Sequence, residues 1–207
     1  MALKGSGSDV TSSFITAAAA DPNGISTVAT ISGAANLAIN GALADGGSVT
    51  MDCPRNVTIL SAADDSGITF TVTGTDESGT AITEVITGAD STTATGSSFF
   101  QTVTQIATSG SSTGNVSAGS GTSCAGVISA ARCRLRGIYV VNGSGAATIV
   151  FREGSGTGTI VMQFATVAGA STNSYPDVPD DGLLFKAGGY VTFTAVTDLT
   201  AMTTFFS

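Results

Sequence analysis

Histidine and tryptophan are missing from this chain of 207 residues, and only 11% of its side chains are charged. Without histidine there is no side chain that titrates near neutral pH at its ordinary pKa, and a Ser-His-Asp triad is excluded. A Ser–Lys dyad would have to use Lys4 or Lys186, and neither sits in a motif. Cysteine is sparse as well: Cys53, Cys124 and Cys133, with no CxxC spacing. Together with the lack of His this excludes an ordinary zinc site, and an odd count argues against a disulfide framework. The three are expected to be small buried thiols, with a Cys124–Cys133 bridge closing a short loop as the alternative. Leucine is scarce, and no stretch reaches the ~18 apolar residues of a membrane span. The start, Met1 to Gly7, has one positive charge and no apolar run behind it, so it does not read as a secretory leader.

What the chain does have is glycine, 27 of them, and a polar complement made mostly of Ser and Thr. Hydroxyls satisfy hydrogen bonds but are poor acids, bases and metal ligands. The hydrophobic fraction of 42% is enough for a packed core, and its Val, Ile, Phe and Thr favour strands. Net charge is −8 and unevenly placed. Residues 1–125 hold ten acidic and two basic side chains, net −8; residues 126–207 hold five of each, net 0. Such a surface repels phosphate, so nucleic acid is not an expected partner. The one basic cluster is Arg132-Cys133-Arg134-Leu135-Arg136. Its alternation reads as a strand start with the arginines on one face, or as a docking patch for an acidic partner.

Along the chain the signals are those of short strands and tight turns. Residues 1–20 read as an extended N-terminal arm, with one helical turn over Phe14–Ala20 and a turn at Asp21–Gly24. Strands are expected at Ile25–Ile31, Leu37–Leu43, Val49–Asp52 and Asn56–Ala62. The clearest is Ile68-Thr69-Phe70-Thr71-Val72-Thr73, whose period of two marks a half-buried strand. It returns through Asp76–Gly79 as Ala81–Thr87, a β-hairpin. Phe99–Thr108 and Asn115–Ala118 follow. Residues 119–125, Gly-Ser-Gly-Thr-Ser-Cys-Ala, read as a linker. Beyond it come Leu135–Val141, the hairpin Ala147–Phe151 with Thr159–Phe164, then Leu183–Phe185, Tyr190–Ala195 and Thr203–Phe206. The fold expected is all-β: a β-sandwich or jelly-roll-like domain over 21–122, a second over 126–207, and the arm over 1–20.

Candidate sites are few. Asp64-Asp65 and Asp76-Glu77 flank one strand, and Asp177, Asp180 and Asp181 share a loop. These could offer oxygens to Ca²⁺, but Asp-rich turns are ordinary turn chemistry. Gly154-Ser155-Gly156-Thr157-Gly158 lacks the Lys-Ser/Thr ending of a phosphate loop and reads as a hairpin loop. Any two of fifteen acids could form a glycosidase-like pair, and nothing singles two out. Tyr139, Tyr175 and Tyr190 are a thin basis for a sugar platform. The expectation is a protein that works by binding, with no catalytic residues, no metal and no cofactor.

Two segments carry a resemblance. Arg55-Asn56-Val57-Thr58-Ile59, Gly67 through Asp76 and Gly79 through Gly88, with Phe99 through Ile106 and Gly114 to Ser117, resemble virion structural proteins of tailed bacteriophages. Gly137 through Gly143 and Val191-Thr192-Phe193 resemble another small β-module of the same class of particles. The resemblance implies a virion component assembled in the host cytoplasm. Among such parts, a short, helix-poor chain with an arm fits a capsid decoration (cement) protein, and a tail, fibre or adsorption component contacting host glycan is the alternative. The implied partners are other virion proteins, above all the major capsid protein, and further copies of the chain, with a trimer among the forms considered. No membrane partner is expected. Lys4, Arg132, Arg134 and Arg136 are the candidate partner-binding residues.

Overall fold

The computed structural model describes residues 10–169, 172–194 and 198–207. Among the described residues sixteen strands follow one another: β1 (Thr11–Ile15), β2 (Asp21–Thr30), β3 (Ala44–Asp45), β4 (Ser48–Ser61), β5 (Thr69–Thr75), β6 (Ala81–Thr87), β7 (Thr93–Thr95) and β8 (Phe100–Thr108). Then come β9 (Asn115–Ser129), β10 (Cys133–Asn142), β11 (Thr148–Glu153), β12 (Thr159–Ala165), β13 (Asn173–Ser174), β14 (Leu183–Phe185), β15 (Gly189–Phe193) and β16 (Leu199–Phe206). They form two antiparallel sheets. The small one runs β1-β16-β10-β13, with β14 also on β10. The wide one runs β12-β11-β15-β9-β4-β8-β5-β6, with β2 on β9 and with β3 and β7 on β4. The all-β reading of the composition holds, and the build is sandwich-like.

The β5–β6 hairpin shows why the period-two signal is dependable. Phe70 and Val72 are buried, Thr69, Thr71 and Thr73 only partly so, and the pairing runs unbroken from Thr69↔Thr87 to Thr75↔Ala81. One residue of slip would turn Phe70 to water, so burial fixes the register. The turn is held by Asp76, whose Oδ1 accepts the backbone N–H groups of Ser78 at 2.8 Å and Thr80 at 2.9 Å.

Elsewhere the structure departs from the reading. The expected linker at 119–125 is the middle of β9, a strand of 15 residues. Gly119 is there for close approach: a Cβ would overlap the backbone of Asp21 and Pro22 in β2. At Gly121 a Cβ would run into the Asn56 side-chain amide. Both are strand glycines that admit a neighbouring backbone or side chain. The segment expected to separate 21–122 from 126–207 is thus continuous strand, and β9 serves both halves. Val116 and Ala118 belong to one core cluster, with Ile25, Ile59, Phe70, Phe100 and Ile106. Cys124 and Ile128 belong to another, with Leu135, Val140, Ile149, Phe151, Phe193 and Met202. That second core is filled from the small sheet on one side and from the β11, β15 and β9 end of the wide sheet on the other.

Of the expected N-terminal arm, residues 1–9 lie outside the described residues, and the helical turn expected within the rest is corrected. Thr11–Ile15 is strand, paired in register with β16 from Thr11↔Phe206 to Ile15↔Met202, and Phe14–Ala20 forms no helical turn. Asp21–Gly24 belongs to β2, and Leu37–Leu43 is not a strand. Val49–Asp52 and Asn56–Ala62 merge into β4, whose pairings shift register on either side of Arg55 to accommodate Cys53-Pro54.

The cysteine expectation is overturned as well. Cys53 and Cys124 form a disulfide between β4 and β9, 71 residues apart in sequence, and Cys133 is the free, buried thiol. A Cys124–Cys133 bridge is thereby excluded. Tertiary pairing of distant strands, invisible to local spacing, set the partner.

Candidate interaction surface

The outward face of the small sheet is assembled from three strands by register. Phe14 of β1 pairs with Thr203 of β16, which pairs with Tyr139 of β10. One row along, Ser12 pairs with Phe205, and Phe205 with Gly137. Alternation puts Ile15, Leu135, Ile138, Val140 and Met202 into the core and leaves these residues outside. The Phe205 ring lies over Gly137, where a Cβ would be in ordinary contact with it at 3.5 Å. Tyr175, just past β13, stacks a tilted ring on Tyr139, with centroids 5.1 Å apart. Partial desolvation, then the charge and hydroxyl of Tyr139, push the Tyr175 phenol above its ordinary pKa, against a hydrogen bond with Asn173 that lowers it. Phe14 is 67% exposed, Tyr175 66% and Phe205 39%. Large apolar rings gathered on one face mark a contact surface.

The arginine stripe borders the same face. Cys133 and Leu135 point inward and are buried; Arg136 is exposed, Arg134 half-buried, and Arg132 exposed just before β10. Their guanidinium groups are partly employed within the chain. Arg134 Nη1 donates to the Asp181 carbonyl at 2.9 Å, Arg136 Nη1 to the Asp180 carbonyl at 3.4 Å, and Arg136 Nε to Ser207 Oγ at 3.0 Å. The loop carrying Asp177, Asp180 and Asp181 is therefore tied along β10, and the two expected features, arginine stripe and acidic loop, are neighbours. Lys4 lies outside the described residues.

A second feature joins two loops noted in the sequence. The Asp76-Glu77 turn and the Gly154–Gly158 loop meet around a cleft of ≈ 90 Å³, with Ile82, Ser98 and Phe99 as further walls. Glu77 Oε1 accepts the Gly156 N–H at 3.2 Å, a contact spanning both halves. Asp64 is turn chemistry: its Oδ1 accepts the Ser66 hydroxyl at 2.6 Å and the Ser66 N–H at 3.0 Å, which holds its carboxyl below the ordinary value. Asp65 is buried and accepts the Thr113 N–H at 2.7 Å. Among the described residues, no three His, Cys, Asp or Glu side chains gather as a metal site.

Arg55 opens the Arg55–Ile59 motif, with nothing in its local pattern to mark it as interior, yet among the described residues it is the largest fully buried side chain. Its Nε and Nη2 grip the two Asp52 oxygens, each at 2.8 Å, and it also donates to the carbonyls of Ala18 and Gly121. Burial pushes the Asp52 carboxyl up, but the Arg55 hydrogen bond, the Ala18 N–H and the Arg55 charge outweigh it and hold the group below its ordinary value. This pair clamps the segment before β2 onto β4 and β9.

Fold and surface thus define an all-β protein of sandwich-like build with an aromatic outer face. Compared with known families, curated proteins and solved structures, the chain matches none.

Proposed function

We propose that this chain is a non-enzymatic structural component of a tailed-phage virion, and within the virion a capsid decoration protein that stabilises the head. The observation that carries the reading is the edge of the wide sheet. β12, Thr-Ile-Val-Met-Gln-Phe-Ala, is the terminal strand and among the described residues pairs only with β11. It holds no charge and no proline, and Ile160 is 50% exposed. A bulge opposite Phe151 and Arg152 is its one blunting feature. A protein that stays alone protects such an edge with charges or covers it; a subunit of a shell leaves it for a neighbour. The resemblance to virion proteins supports a neighbour within the particle, and the decoration reading takes that neighbour to be a capsid subunit. Binding that prefers the intact shell stabilises it by mass action.

The test compares heads with and without the protein, heated at fixed salt. Cement raises the temperature of DNA release. Identical release temperatures, with density placing the chain on the tail, reject that role. The cleft beside Phe99 favours the second reading, a tail or adsorption component: an aromatic wall, hydroxyls of Ser98, Ser155 and Thr157 and the Asp76 and Glu77 carboxylates suit a neutral sugar of a host glycan.

A further inference from the structure

We propose that the outward face of the small sheet is a self-association surface, on which two copies of this chain meet about a two-fold axis. The inference rests on the reading of the chain as a subunit of an assembly, and names the surface and the partner. Its core is the aromatic group Phe14, Tyr139, Tyr175 and Phe205, three of them well exposed at 67%, 66% and 39%. Aromatic residues are the type that dominates interface energetics, and bordering arginines are the other.

Charge selects the occupant. Residues 1–125 carry net −8, so two copies repel wherever those halves approach; residues 126–207 carry net 0. The aromatic face lies almost wholly on the neutral half. Its rim holds both signs side by side: Arg132, Arg134 and Arg136, and the loop of Asp177, Asp180 and Asp181 that Arg134 and Arg136 tie down. A mixed rim is self-complementary. A two-fold rotation can set the arginines of one copy against the carboxylates of the other, as an isologous contact requires. A purely acidic or purely basic partner would oppose one sign of that rim.

Size sets the strength. β1, β16, β10, β13 and β14 hold five, eight, ten, two and three residues, so at ~3.3 Å per residue and ~4.8 Å between strands the face offers about 440 Å² per copy. A pair covers about 900 Å², the small class of weak, concentration-dependent contacts. Face-to-face packing makes a second sandwich layer with the sheets ~10 Å apart, into which the four rings of each copy interdigitate. An isologous contact closes at two copies, so a trimer needs a different, heterologous surface.

The experiment is sedimentation velocity on the purified full-length chain over a concentration series. Wild-type protein sediments as a dimer. Phe14→Arg with Tyr175→Arg weakens self-association at least about 30-fold, the loss expected from disabling hot-spot aromatics, while the circular dichroism spectrum and unfolding midpoint are retained because both rings are mostly in water. Val85→Arg, an equally exposed apolar position on β6, leaves the dimer intact. A monomeric wild type, a double variant that dimerises normally, or a Val85→Arg variant that dissociates equally overturns the proposal. None of these outcomes depends on phage heads. If the dimer is absent but DNA-release temperature still rises, this inference fails alone; if the dimer forms and release is unchanged, the cement reading fails alone.

Discussion

Single residues carry most of the stability that can be tested here. Phe70 is fully buried and Thr71 is not. Phe70→Ala is expected to cost roughly 3–5 kcal/mol through lost burial and a residual cavity, and Thr71→Ala under about 1. Urea midpoints at constant m-value decide it, and equal small effects would show that the hairpin register is misassigned. The Arg55–Asp52 clamp gives a pH dependence. The folded-state pKa of Asp52 lies below its ordinary value of 3.8. Its contribution is therefore fully present above that ordinary value and is lost as pH falls through the depressed folded pKa. Asp52 is 38% exposed, so solvent screens part of the effect. Asp52→Asn is expected to lower stability at neutral pH and to flatten the loss below about pH 4, read as the unfolding midpoint at pH 7 and pH 3. A parallel loss in both proteins would remove Asp52 from the account.

At the level of elements, the decisive piece is β9. In sequence it reads as a short strand plus a linker because Gly-Ser-Gly-Thr-Ser is flexible-linker composition. In the fold those glycines are thin places where β2 and Asn56 press close. A linker would tolerate alanine. In β9, Gly119→Ala is expected to destabilise by roughly 1–3 kcal/mol, since the obstacle is backbone and cannot rotate away. Gly67→Ala, with open space around it, should change stability by less than about 0.5 kcal/mol. Calorimetry on the two variants distinguishes them, and two neutral results would restore the linker. Strands β5, β6, β8, β11 and β12 were legible because each is local: an alternating or apolar run bounded by a Gly-, Asp- or Ser-rich turn. β1 and the first residues of β2 were not. Thr-Ser-Ser-Phe-Ile has no pattern of its own and becomes strand because β16, nearly 190 residues later, offers a free edge.

For the whole molecule, β9 runs through both cores, and a disulfide ties it to β4 within one of them. The Cys53–Cys124 disulfide closes a loop of about 71 residues, and such closure typically contributes about 2–4 kcal/mol, mainly by restricting the unfolded chain. Burial raises the Cys133 thiol pKa, which keeps it unreactive in the folded protein. Thiol titration is expected to find no fast-reacting group in the native chain, one in denaturant, and three after reduction and denaturation. Three reactive groups in denaturant without reductant would show that the bridge does not form.

Composition and local pattern determined the class of this protein. Too little charge and no histidine turned the reading from catalysis towards binding, and β-branched residues with period-two alternation specified antiparallel sheets. These are properties of each segment alone, set by steric preference and by which face must leave water. Tertiary structure decided everything that depends on distant segments meeting: the β9 strand through a linker-like stretch, the pairing of Cys53 with Cys124, the burial of Arg55 against Ala18 and Gly121, and the meeting of Phe14, Tyr139, Tyr175 and Phe205 on one face. The arginine stripe was visible as spacing, but its neighbours were not. A contact between residues as far apart as Thr11 and Phe206 leaves no periodic trace, because periodicity records only how a segment divides its own faces between core and solvent.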